Sequence, residues 1–164
     1  MKKILSLAAV AVALFAAPAA AEDDPDFLSF QAGGFDVNDT ETTAMLGVEY
    51  RSDFKEFYIA PMVGGFVTAE GSVYGYGGLY LDVFLGRRIV LRPSFSVGAY
   101  GEGGGKDLGG VLEFRSAIAL AWRFDDRSRL GIELSHLSNA GIYDNNPGTE
   151  NLTLNYSVPL DQLF

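Results

Sequence analysis

Leu112-Glu113-Phe114-Arg115-Ser116-Ala117-Ile118-Ala119-Leu120-Ala121-Trp122-Arg123-Phe124 is the most regular stretch of this chain, and its period is two. Leu112, Phe114, Ile118, Leu120, Trp122 and Phe124 fall on one face, joined by Leu108 upstream, while Glu113, Arg115, Arg123 and several Ala fall on the other. Successive side chains of an extended backbone point to opposite sides, so this alternation describes a β-strand with one apolar and one charged face.

The same period recurs on both sides of that stretch. Leu91, Phe95, Val97 and Ala99 oppose Arg92, Ser94, Ser96 and Gly98, and Leu130, Ile132 and Leu134 oppose Arg129, Gly131, Glu133 and Ser135. Turn-forming clusters separate eight such segments, expected at Phe27–Phe35, Thr43–Arg51, Phe57–Thr68, Val73–Leu85, Ile89–Tyr100, Leu108–Phe124, Arg129–Ser138 and Glu150–Val158. Strands that cross a bilayer need roughly 9–11 residues, and bacterial single-chain barrels have even strand numbers from about eight upward.

Two architectures accommodate the pattern. A soluble sandwich would bury the apolar face and leave sheet edges to be covered. A closed barrel turns that face to lipid, leaves no backbone group unpaired in hydrocarbon, and points Glu49, Arg51, Arg92, Glu113, Arg115, Arg123, Arg129 and Glu133 into a narrow lumen where they pair. The expected fold is therefore all-β, an eight-stranded antiparallel transmembrane β-barrel. Its short turns, Arg87–Arg88 and Asp125–Ser128, mark the periplasmic end, and the longer Glu102–Asp107 and Asn139–Thr149 segments mark the outer end.

Lys2 and Lys3 precede an apolar run from Ile4 to Ala17, and Ala19 and Ala21 fit a small-residue cleavage site. Residues 1–21 read as a cleaved signal peptide and 22–164 as the barrel, destined for the outer membrane of a Gram-negative bacterium. Phe164 resembles the terminal aromatic of such barrels. The absence of Cys excludes disulfides, and a net charge of −9 with pI near 4.4 argues against a nucleic-acid partner.

Chemistry concentrates where the seventh segment ends. Counting by two from Leu130, the apolar face continues through Ile132 and Leu134 into His136, the sole histidine, and then Ser138. In the eighth segment Glu150 shares the face of Leu152, Leu154, Tyr156 and Val158. Each residue alone is an ordinary strand-end polar group. Together they are three polar groups on a lipid-facing wall at one depth, where an unpartnered polar group is costly. A register with Ser138 opposite Glu150 would place His136 on the diagonal, within reach of both, so that His accepts the hydroxyl proton and Glu orients the ring. Ser135 has the opposite parity and points into the lumen.

His136-Leu-Ser138-Asn139, followed by Asn146, Pro147, Gly148 and Glu150, resembles the lipid A 3-O-deacylase family of outer-membrane proteins in residue type and spacing. That resemblance implies an eight-stranded barrel and a serine esterase that hydrolyses the 3-O-linked hydroxyacyl chain of lipid A in the outer leaflet. It needs no metal and no cofactor. It further implies oxyanion or supporting roles for Asn146, Ala140, Gly141 and Asn139. Lipid A (lipopolysaccharide) and outer-membrane lipids are then the partners, and a homodimer is left open. The competing functions are a non-enzymatic structural or adhesive barrel and an outer-membrane phospholipase.

Overall fold

The computed structural model describes residues 24–40 and 42–162; the expected signal peptide and Phe164 lie outside them. Eight strands follow one another: β1 (Phe27–Phe35), β2 (Thr43–Arg51), β3 (Ile59–Thr68), β4 (Val73–Leu81, resuming as Val83–Leu85), β5 (Ile89–Gly101), β6 (Leu112–Arg123), β7 (Arg129–Ser138) and β8 (Thr149–Pro159). Each pairs antiparallel with its chain neighbours, and β8 pairs β1, from Phe27↔Pro159 to Gly34↔Leu152, so the sheet closes on itself. Among the described residues no helix is long and apolar enough to cross a membrane, and closure satisfies the ladder without one.

The wall obeys the alternation. Phe95, Ile118, Leu120, Ile132, Leu134 and Leu154 are exposed on the outside. Inside, the Glu133 carboxylate is clasped by Arg115 and, at 3.3 Å, by Arg92. Tyr76 donates to Glu49 at 2.9 Å. Arg129 bridges Asp24 (2.7 Å) and Asp82 (2.6 Å), with its guanidinium 4.3 Å over the Phe27 ring. Eight strands enclose a bore that side chains fill, and ion pairing makes charged filling tolerable. Nearer the loop end the lumen is aromatic, with Phe35, Phe66, Tyr74 and Tyr100 packed together.

Four details depart from the expected strands. The sixth begins at Leu112 rather than Leu108; Leu108 is buried in the luminal cluster, and its carbonyl accepts from Asn139 Nδ2 at 2.9 Å. Phe57 and Tyr58 leave the third strand because both have positive φ, 51° and 71°, which ends the ladder. The fourth is interrupted at Asp82, whose carboxylate is drawn to Arg129. Glu113 points inward as expected but lacks an ion-pair partner among the described residues, because Arg115, one inward position along, is taken by Glu133.

Loop residues 36–40, 69–72, 102–111 and 139–148 gather at one end of the barrel, and turns 52–58, 86–88 and 124–128 at the other. The loop end carries the site.

Candidate active site

The outward phase of β7 and β8 brings the polar residues together on the barrel wall. His136 Nδ1 lies 3.0 Å from Glu150 Oε1, with the two side chains 47% and 35% exposed. The two residues are direct cross-strand partners, so Ser138 is not opposite Glu150. Ser138 sits one pair beyond Leu137↔Thr149, level with Gly148, half-buried at the last position of β7. A two-residue change of register leaves every side chain on its face, so alternation is blind to it. The hydroxyl of Ser138 makes no hydrogen bond to the ring among the described residues.

Gly148 lies against the ring. Its φ is +67°, and a Cβ there would stand 3.1 Å from His136 Cε1 and 3.6 Å from Nε2. With Nδ1 engaged by Glu150, the Cε1–Nε2 edge therefore lies on the loop side, the side of Ser138. An imidazole whose Nδ1–H is held by a carboxylate keeps the tautomer in which Nε2 can accept a proton.

Glu150 is held from its other flank by the β1–β2 loop. Val37 N donates to Glu150 O at 2.8 Å, and Glu150 N donates to Asn38 Oδ1 at 3.4 Å. Beside them, buried Asp36 accepts from Thr149 Oγ1 at 3.0 Å and from Lys106 Nζ at 2.7 Å. Lys106 also lies 3.6 Å from exposed Asp39, whose carboxyl is lowered chiefly by the Thr40 backbone N–H and also by that ammonium. None of the β1–β2 loop residues stood out in the sequence, because their spacing from Glu150 exceeds 100 positions and nothing local announces the contact.

The Asn139–Gly148 loop is organised by Asn139. Fully buried, it donates through Nδ2 to Leu108 O and Asn145 O (2.9 and 2.8 Å), receives Gly141 N on Oδ1 at 3.0 Å, and gives its own N–H to Asn146 Oδ1 at 3.0 Å. Ala140 and Gly141 follow with positive φ, 54° and 76°. Tyr143 packs on Gly110, and its hydroxyl accepts from Leu112 N at 3.2 Å. Ser135, by contrast, is buried in the lumen, 3.5 Å from Asn151 Nδ2.

The family model described as lipid A 3-O-deacylase (PagL) matches residues 26–159, essentially the whole barrel. The chain belongs to this family. Lipid A deacylase PagL of Bordetella bronchiseptica is 30% identical over 78 residues, which cover 48% of this chain and 39% of that relative's length. A crystal structure of the outer membrane enzyme PagL superposes with a TM-score of 0.65 at 22% identity, covering 81% of this chain and 99% of the other. At that identity the superposition bears on the fold, where it agrees with the closed eight-stranded barrel. Membership in the lipid A 3-O-deacylase family matches the resemblance carried by His136-Leu-Ser138-Asn139 and the residues up to Glu150.

Among the described residues no group of His, Cys, Asp or Glu has the arrangement of a metal site. The chemistry open to His136, Ser138 and Glu150 themselves is acid–base and nucleophilic.

Proposed function

We propose that the protein is an outer-membrane ester hydrolase that removes the 3-O-linked hydroxyacyl chain of lipid A, with Ser138 as nucleophile, His136 as general base and Glu150 as the orienting acid. One observation carries the reading: a His–Glu pair 3.0 Å apart on the lipid-facing wall, with the free ring edge turned toward the end where Ser138 sits.

In this mechanism Nε2 of His136 takes the Ser138 proton as Oγ attacks the ester carbonyl, and Glu150 stabilises the imidazolium that forms. The imidazolium then protonates the leaving sugar oxygen. Water, deprotonated by the same ring, releases the acid from the acyl-enzyme. Of the oxyanion donors that the family resemblance implies, the Gly141 N–H is committed to Asn139, which leaves Ala140 N–H and Asn146 Nδ2, whose Oδ1 is already engaged. Asn139 acts by holding both in place. The outward position suits an acyl substrate lying along the barrel, with its ester near the headgroup boundary.

Mass spectrometry of lipid A from Gram-negative cells expressing the protein tests class and substrate together. Expression should remove one hydroxyacyl chain from lipid A. Ser138→Ala should abolish that loss while the barrel keeps its heat-modifiable mobility, since removing a nucleophile costs several orders of magnitude in rate. Unaltered lipid A with the wild-type barrel, or glycerophospholipid cleavage in its place, would refute the assignment.

A further inference from the structure

Ser116 stands on the outer wall of β6 as the direct cross-strand partner of His136, on the flank opposite Glu150. Its outward neighbours on β6 are Phe114 and Ile118, and its partner on β5 is exposed Phe95. The mechanism above does not use this hydroxyl, and it makes no hydrogen bond among the described residues. Its surroundings are otherwise those of a lipid-facing wall, where an unpaired hydroxyl is unfavourable and Ala or Val would serve the strand better.

A shallow groove of about 430 Å³ joins Ser116 to the site, with Ile118, Leu134, His136 and Glu150 among its lining residues. It runs from the His–Glu pair toward the apolar belt between β6 and β7, the course an acyl chain would take from an ester at Ser138. Ser116 and Ser138 are diagonal neighbours across β6 and β7, since Ser116 pairs with His136 and Phe114 with Ser138. Such diagonals span roughly 7–8 Å between Cα atoms. With C–C bonds of about 1.5 Å, the third carbon of an acyl chain sits two bonds along from a carbonyl carbon held at Ser138, and its hydroxyl oxygen one bond further. A hydrogen bond of about 2.8 Å then covers the remaining distance to Ser116 Oγ.

We propose that Ser116 is a specificity-determining residue that hydrogen-bonds the 3-hydroxyl of the scissile acyl chain, so that the groove selects 3-hydroxyacyl over plain acyl esters. The inference rests on the deacylase reading and deepens it. A site that offers a hydrogen-bond partner to a substrate hydroxyl discriminates against the analogue lacking it, whereas a purely apolar groove does not. The effect falls on kcat/KM, because the hydroxyl both anchors the chain and sets the approach of the carbonyl.

The test uses the full barrel in detergent micelles and two glucosamine-based lipids of equal chain length, one carrying a 3-hydroxyacyl ester on the sugar and the other a plain acyl ester. Wild type should prefer the hydroxyacyl ester. Ser116→Ala should reduce that preference roughly 5- to 30-fold, with Ser116→Thr restoring most of it because it returns a hydroxyl at the same position. Wild type without preference, or an equal fall on both esters in Ser116→Ala with unchanged heat-modifiable mobility, would overturn the proposal. An active Ser138→Ala beside a dead Ser116→Ala would also overturn it, making Ser116 the nucleophile. Failure of wild type to cleave either ester would sink the deacylase reading itself and the proposal with it, an outcome distinct from cleavage without preference.

Discussion

Replacing Gly148 with Ala tests whether the orientation of the His136 ring depends on the residue beside it. The added Cβ would stand 3.1 Å from Cε1, whereas carbon atoms settle at about 3.5–4.0 Å, so the ring must withdraw by about 0.4 Å or more. Misplacing a catalytic group by about 1 Å costs roughly 10²-fold, so this displacement should lower kcat about 5- to 10-fold. That equals about 1–1.4 kcal/mol of transition-state stabilisation. Gly148→Ala also carries the strain of a non-glycine residue at φ +67°, about 1–2 kcal/mol, which acts on stability. Gly86→Ala separates the two effects: its φ is +75°, nothing lies within 4 Å of the new Cβ, and it sits in a turn at the far end of the barrel. Deacylation kinetics in micelles, paired with urea unfolding in lipid vesicles, should show both variants similarly destabilised and only Gly148→Ala slowed. A folded Gly148→Ala barrel with wild-type kcat would refute the claim that Gly148 sets the ring, as would equal slowing in Gly86→Ala.

Three further outcomes are expected. Glu150→Gln should retain measurable activity whereas His136→Ala should not, because in the proposed mechanism the carboxylate acts through the ring; a fully active Glu150→Gln would remove Glu150 from the mechanism. Glu133→Gln should lower the urea stability of the barrel by about 3–5 kcal/mol, because it leaves the buried Arg92 and Arg115 charges uncompensated, and an unchanged midpoint would contradict the luminal ion-pair network. A single Cys at Leu134, exposed on the wall, should react with a lipid-soluble probe, whereas one at Glu133, buried in the filled lumen, should be protected from it; the reverse labelling would invert the wall and move the site off it.

Local alternation alone determined the strand count, the faces, and which polar residues break the apolar wall. A period of two is a property of each strand by itself, so Leu130, Ile132 and Leu134 place His136 and Ser138 outside and Glu133 and Ser135 inside before any partner strand is known. The family resemblance was equally legible, because His136, Ser138, Asn139, Asn146, Gly148 and Glu150 lie close together in the chain. Register was not, since sliding β8 by two residues preserves every face; pairing along the whole β7–β8 ladder and the loop organised around Asn139 put His136, not Ser138, opposite Glu150. Tertiary structure alone placed Val37 and Asn38 on Glu150, Ser116 beside His136, Leu108 in the lumen and Asp82 on Arg129. The physical reason is common to all four. Periodicity records which side of its own strand a residue faces, while these contacts depend on strand register, loop packing and barrel closure, which bring together groups that no repeat along the chain relates.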